Sequence, residues 1–548
     1  MSMPEADILK IRQQFPTLST SVNGEPLVYF DNAATTQKPE AVIRCIDDYY
    51  RRTNANVHRA SHYLSAMATT RFEQARECVA NYLNAQSSKE IIWTRGTTEA
   101  INLIANSWGD SLKAGDEIML STLEHHANIV PWQLLANRTG AVIKVIPLLE
   151  NGDLDLNSYA QQLSERTRLV AITHVSNALG TINPLKTIIK QAHQYGALVL
   201  VDGAQALPHL RVDLQKLGAD FYVFSGHKLY APTGIGVLYG KEEILTALPP
   251  WQGGGEMIKE VSFSGTTFND LPFKFEAGTP NISGAIALAE AINWLQAQDH
   301  QCLYDHESAL LHHALEGCQG IKGFQRIGAP EKTVSMLSFM IHGVHQQDIG
   351  TQLDHKGIAV RNGHHCAMPL MEALKVPGTT RASFSFYNTF QEIDRFIQAL
   401  DEISQPFSLP VNISEIKLTG LYERLITLKG WNERYREIML AGKQHTPLEQ
   451  HDKQPQYLVK GCESDTWLIT KLNKNGQYQF KADSDARIIR GLLVLVLDIF
   501  NNKTAKQIKR IDIDLLFREL ELERHLSPSR GNGLRAVINK IYQVADQA

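Results

Sequence analysis

From about residue 88 the chain alternates short apolar runs with stretches of helical length, and that rhythm admits few folds. The runs at 91–93, 117–120, 142–146, 169–173, 197–201 and 221–224 read as buried strands, and segments between them, such as 184–195, have the length and pattern of helices. Strands covered on both faces by the helices that connect them form a layered α/β domain with a largely parallel sheet. A further strand at 235–239 follows a Gly/Pro-rich turn. Beyond it we expect a helix over 285–297, strands over 333–341 and 358–360, and a final helix over 390–403.

At 548 residues the chain is too long for one ordinary core. The segment QPFSLPVNI (405–413) carries two prolines and little periodicity, so we read 405–414 as a linker between domains at 1–404 and 415–548. The second domain has helical patterns at 421–440, 486–501 and 533–547. Two strand-like pieces, 466–472 and 477–482, flank NKNG (473–476), a hairpin turn, and the domain is therefore α+β.

A net charge of −4 with 20% charged residues gives no footprint for nucleic acid or an anionic membrane. The most apolar run, 492–497, stops at Asp498, well short of the roughly 18 residues of a membrane helix. The first residues, MSMPEADILKIRQQFP, are acidic in part and lack the apolar stretch of a signal peptide. Six cysteines without a Cys-x-x-Cys pair make neither a disulfide framework nor a metal site. A reducing compartment, the cytoplasm, is the expectation.

Two expected strand ends carry chemistry. The strand at 198–201 runs into Asp202 and Gln205, and the strand at 221–224 runs into Ser225, His227 and Lys228. Ligands of open α/β sheets sit at the carboxyl ends of strands. A lysine and a carboxylate there suit pyridoxal phosphate: the amine makes the Schiff base, and the carboxylate keeps the pyridine nitrogen protonated. RGTTE (95–99) leaves a strand and opens a helix, so its amides and the hydroxyls of Thr97 and Thr98 form a phosphate seat. His125, after another strand end, is placed to stack on the ring, and Asn177 and Gln205 to bond its phenolic oxygen.

Cys366, in RNGHHCAMP (361–369), and Cys462, in VKGCESDTW (459–467), stand among glycine and polar residues rather than in apolar patterns, whereas Cys45, Cys78, Cys302 and Cys318 lie in helical patterns and read as packing residues. Arg361, His364 and His365 are cationic neighbours in sequence for the Cys366 thiol. The short loop holds Cys366 near the cofactor and limits how far it swings.

YFDNAA (29–34), VHR (57–59), EHHANIVPW (124–132), VDGAQ (201–205), SGHK (225–228), FEAGTP (275–280) and RNGHHCAMP together resemble the SUF-type, group II cysteine desulfurases, class V enzymes of the pyridoxal-phosphate fold type I. The resemblance spans most of residues 10–405. It implies a large α/β domain with a smaller α+β subdomain, Lys228 on the cofactor aldehyde, Asp202 at the ring nitrogen, and His125 over the ring. It also implies Thr97, Ser225 and His227 on the phosphate, with Thr279 contributed across a homodimer interface. Arg381, in TRAS (380–383), would clamp the carboxylate of L-cysteine, assisted by Asn32 and Arg361. Asn362 stands where many relatives have Thr or Ser. Glu256, in GGGEM (253–257), lies on a loop that covers the partner's site in such enzymes, and we expect a solvated side chain there.

The second domain resembles the SufE-type sulfur acceptors, of SufE/IscU-like fold, through VKGCESDTW, ADSDA (482–486), RGL (490–492) and HLSPSR (525–530). The chain as a whole resembles a fusion of desulfurase and acceptor. The resemblance implies conversion of L-cysteine to L-alanine, a persulfide on Cys366, transfer to Cys462, and an Fe–S scaffold as the final acceptor. Three rival readings stand beside it. The second domain is only a docking or activating module, the first is an aminotransferase, or selenocysteine is the preferred substrate.

Overall fold

Strands Phe221–Ser225, Gly236–Gly240 and Glu117–Ser121 are buried at every position, which is why they read as unbroken apolar runs. The computed structural model describes residues 5–58, 61–405, 420–428, 431–459, 465–511, 513–520, 522 and 528–546. The chain divides into two units, Met1–Gln405 and Pro406–Ala548.

In the first unit seven strands form one sheet, in the order Ile91–Thr94, Gly236–Gly240, Phe221–Ser225, Leu198–Asp202, Thr167–Thr173, Glu117–Ser121 and Val142–Ile146. Gly236–Gly240 runs antiparallel to both its neighbours, and the other six strands run one way. The exception has a simple cause. Only residues 226–235 separate Gly236–Gly240 from the preceding strand, fewer than the dozen or so that a parallel crossover needs. Helices cover the sheet with apolar stripes; Tyr63–Leu83 buries Ala68, Phe72, Ala75, Val79 and Leu83 along one face.

A second layer is a four-stranded antiparallel sheet, Phe324–Arg326, Met336–Ile341, Thr379–Ser383 and Arg361–Gly363, covered by helices His300–Cys318, Gln346–His355 and Phe390–Ser404. The strand expected from 333 begins at Met336, because Thr333 instead bridges to Thr181 of the large layer.

The second unit packs the antiparallel hairpin Thr466–Leu472 and Gln477–Ser484 against helix Arg487–Phe500, which buries Leu492, Leu493, Leu495, Val496 and Ile499. Asn473 shapes the hairpin turn, its side-chain oxygen accepting from the amides of Asn475 and Gln477. The single helical pattern expected over 421–440 is two helices, Leu421–Thr427 and Trp431–Gln444. The second crosses Arg487–Phe500 so closely that a Cβ on Gly491 would fall 2.1 Å from Ile438 O. Cys462 and most of the reading's linker lie outside the described residues, as do Arg59 and residues 525–527 of HLSPSR. Among the described residues no helix is long and apolar enough to cross a membrane.

Candidate active site

A cavity of about 430 Å³ opens at the carboxyl ends of the central strands. Thr97, Thr98, His125, Asn177, Asp202, Gln205, Ser225, His227, Lys228, Arg361, Cys366 and Arg381 all line it. The large layer supplies the first nine, and the small antiparallel sheet with its loop supplies the last three.

The end of the cavity at Thr97 and Ser225 is built by close approach. Gly96 adopts φ +153° just before helix Thr97–Ser107, and a Cβ on Gly236 would sit 2.4 Å from its Cα. Thr97 N–H donates to Ser225 Oγ at 2.9 Å, and the two hydroxyls are also 2.9 Å apart. Asp202 is buried, with Oδ1 accepting from Ala204 N–H at 2.9 Å. Burial raises its pKa, against Ala204 N–H and the Lys228 charge. The same burial lowers the Lys228 amine to about 8. His125 Nδ1 accepts from Ala127 N–H at 3.0 Å, and burial followed by the Lys228 charge pulls it to about 4. The ring is therefore neutral near pH 7, with its proton on Nε2.

Arg381 is 2% exposed. One terminal nitrogen donates to Asn177 O at 2.6 Å and the other to Asp31 Oδ1 at 3.1 Å. Arg361 grips Asp31 as well, through Nε and, at 2.9 Å, Nη2. Asp31 thus joins both guanidiniums, a role that the sequence reading missed. Replacing Asp31 by Asn is expected to cost about 2 kcal/mol, since a buried guanidinium loses its counter-charge. A melting curve should show a midpoint lower by roughly 2–4 °C.

Glu124 was also passed over. It accepts from Asn128 Nδ2 at 2.7 Å and Thr173 N at 3.0 Å, and so fixes the turn that presents His125. Burial raises its pKa to about 8.

Cys366 is exposed, on a turn in which both His365 and Cys366 have left-handed φ, 54° and 56°. Such residues cost about 1–3 kcal/mol each and persist only where their surroundings hold them. Asn177 Nδ2 donates to His365 O at 2.6 Å, and His126 N–H donates to Cys366 O at 2.8 Å. His365 is not the cationic neighbour expected. It is buried with Nε2 2.8 Å from Thr379 Oγ1, and burial first, then Arg381 and Arg361, push its pKa to about 3.

Two predicted residues lie elsewhere. Asn32 does not line the cavity; its amide is tied to Ser383 O at 2.7 Å and Asn388 Oδ1 at 3.2 Å. Thr279 lines a different cavity, of about 300 Å³, with Trp93, Arg95 and Trp251. Cys462 falls outside the described residues. Glu256 corrects another expectation. Rather than standing in solvent it is half-buried at φ +72°, its carboxylate 3.1 Å from His58 Nδ1, and His58 Nε2 lies 2.9 Å from Glu73.

The donor set fits pyridoxal phosphate. Asn177 Oδ1, His227 Nδ1, Asn362 Oδ1 and Arg381 Nε are buried polar atoms of cavity residues with no hydrogen-bond partner among the described residues. Each costs roughly 1–3 kcal/mol unless a ligand satisfies it. A hydroxyl pair at a helix N-terminus, a lysine, a buried carboxylate and a free guanidinium edge answer a phosphate, an aldehyde, a protonated ring nitrogen and an amino-acid carboxylate.

The Aminotransferase class-V family matches residues 28–396. A probable cysteine desulfurase of Vibrio cholerae is 55% identical over 391 residues, 71% of this chain and 96% of the relative. The chain belongs to the cysteine desulfurases of the aminotransferase class-V family. One of Mycolicibacterium paratuberculosis is 50% identical over 73% of this chain and 58% of the relative, a longer protein. The crystal structure of the cysteine desulfurase CsdA from Escherichia coli superposes with a TM-score of 0.68 at 43% identity, covering 72% of this chain and 98% of that one. Residues 419–545 match the SufE family, an Fe-S metabolism associated domain. This desulfurase thus carries an acceptor-type domain in the same chain, and its family depends on pyridoxal phosphate.

Proposed function

We propose that the protein takes the sulfur atom from L-cysteine, leaves L-alanine, and passes the sulfur from Cys366 to Cys462 for Fe–S cluster assembly. The observation that carries this reading is a thiol held at the mouth of a cavity that also contains Lys228, Asp202 and Arg381.

Thr97, Ser225 and His227 would hold the phosphate, Asp202 the ring nitrogen, and Lys228 the aldehyde. Bound there, pyridoxal phosphate supplies an electron sink for the carbon bearing the substrate amine. Arg381, with Arg361 beside it, takes the substrate carboxylate, its unpartnered Nε–H meeting one oxygen. The Lys228 amine, with a pKa near 8, takes and returns the proton at the substrate α-carbon. Neutral His125 offers Nε2–H to the cofactor or substrate. Cys366, as thiolate, attacks the substrate sulfur: an S–S bond forms, the substrate C–S bond breaks, and the β-carbon takes a proton. Cysteine and Cys366–SH thus become alanine and Cys366–S–SH. The Cys462 thiolate then attacks the outer sulfur and restores the Cys366 thiol.

Thr279 and the cavity around it support a homodimer in which that segment completes the partner's phosphate site. A SUF-type scaffold protein is the onward acceptor in this reading.

Mass spectrometry of tryptic peptides after addition of cysteine tests the order: a gain of one sulfur on Cys366 first, then on Cys462. The Cys462→Ser variant should still form alanine in a first turnover. With limiting reductant its steady rate should fall about tenfold, because the tethered acceptor and its high effective concentration are lost. An undiminished rate would instead make the second domain a docking or activating module.

A further inference from the structure

The turn that carries Cys366 is tied to the large layer by Asn177 at the His365 carbonyl and, around Cys366 itself, by His126 through two separate bonds. The main-chain N–H of His126 donates to Cys366 O at 2.8 Å. Met368 N–H donates to His126 Nε2 at 3.0 Å. Together they bracket Cys366, with one bond on its own carbonyl and one on the amide two residues later. The first bond any residue at 126 can supply. The second requires a side-chain acceptor at the Nε2 position.

That acceptor has a defined state. A ring nitrogen accepts only when it bears no proton, so His126 is neutral with its hydrogen on Nδ1. Burial and the facing His364 both favour the neutral form. The titratable neighbours are His125 on the same turn and His364 and Cys366 on the opposing one. Met368 opens the helix Met368–Ala373, where an amide has no partner within the helix. The turn between them holds two consecutive left-handed residues, a conformation that needs external restraint. No chemistry assigned above uses the His126 ring.

We propose that His126 is a positioning residue for sulfur capture: its imidazole, by accepting the Met368 N–H, holds the Cys366 turn so that the thiol stands over the cavity. The inference rests on the desulfurase reading for its kinetic arm only. His126 does not touch the substrate, so its loss slows capture of the sulfur without weakening cysteine binding. Protonation of Nε2 would undo the bond, so acid should loosen the turn.

The test uses the full-length holoenzyme with His126→Phe, which keeps the ring bulk without an acceptor, and His126→Gln, whose amide oxygen reaches the Nε2 position and does not titrate. Hydrogen–deuterium exchange of the peptide spanning 361–371 should quicken about fivefold in the Phe variant, the factor carried by one neutral hydrogen bond. It should return close to the wild-type rate in the Gln variant. This arm needs no turnover, so it stands even if cysteine proves not to be the substrate. In the kinetic arm the Phe variant should lose about fivefold in kcat for alanine formation, with KM and cofactor absorbance unchanged. The acid limb of the kcat profile should be shallower in the Gln variant than in the wild type. Any of three results overturns the inference: exchange and kcat in His126→Phe within twofold of wild type, a Gln variant as impaired as Phe, or a loss of kcat matched by an equal loss of bound cofactor.

Discussion

Replacing Cys366 by alanine should lower alanine formation from L-cysteine by at least about 1,000-fold while leaving the bound-cofactor absorbance in place. A group that forms a bond to the reacting atom cannot be replaced by neighbours that only orient or polarise it. Among the described residues nothing else that lines the cavity can take a sulfur atom: the other lining side chains are hydroxyls, amides, carboxylate, imidazoles, guanidiniums, an amine and apolar groups. The residues proposed to anchor the cofactor lie on other elements than Cys366. Thr97, Ser225, Asp202 and Lys228 come from the large layer, and Cys366 from the turn after Arg361–Gly363. Cys366 is exposed, so trimming its thiol leaves no core cavity and should shift the melting temperature little. The result also separates the activities open to a class-V fold. An aminotransferase has no use for this thiol, so a variant that kept full turnover would point to amino-group transfer. A variant that kept full sulfide release would remove the persulfide step from the mechanism. The measurement is alanine and sulfide produced under single- and multiple-turnover conditions, with an absorbance spectrum of each preparation.

What could be read from the chain beforehand divides along a physical line. Strands buried on both faces announce themselves through local composition, and so do Asp202 and Lys228, which stand at the ends of such strands. The antiparallel course of Gly236–Gly240 was not read, because the apolar pattern alone looks the same in either direction; the signal that carried it was the shortness of the connection. Asp31 was not legible, because its partners Arg361 and Arg381 lie 330 and 350 residues away and only tertiary folding makes one carboxylate serve both. His365 shows the converse error. Adjacency in sequence suggested a cation beside the thiol, yet in a turn successive side chains point apart, and this one turns inward to Thr379 and stays neutral. Glu256 looked solvated because its neighbours are glycines, while His58, nearly 200 residues earlier, draws it onto the body of the fold.

Lys228→Ala should be the more damaging change, with alanine formation reduced by about 10⁴-fold or more and the absorbance of the covalently held cofactor lost. The lysine ends the short turn Gly226–Lys228 after the strand Phe221–Ser225, so the sheet fixes where its amine stands. Burial holds that amine near pKa 8 rather than its usual value above 10, and the Asp202 charge limits the drop. A base in that range is neutral often enough near pH 7 to 8 to take a proton, and basic enough to hold it. Among the described residues no other lining group replaces it. His125 sits near pKa 4 and His365 near 3, which makes both weak bases, while Arg361 and Arg381 stay protonated. For that last reason Lys228→Arg should fail as completely as Lys228→Ala despite keeping the charge, since a guanidinium neither forms the covalent link nor gives up a proton. A small primary amine supplied in solution to the Lys228→Ala variant restores a base without touching the Cys366 thiol. Partial recovery of alanine formation when methylamine is added to Lys228→Ala, with none in the arginine variant, would place the amine itself at the centre of the reaction. Recovery in the arginine variant would show that only the positive charge mattered, and would move the proton transfer to a different residue of this cavity.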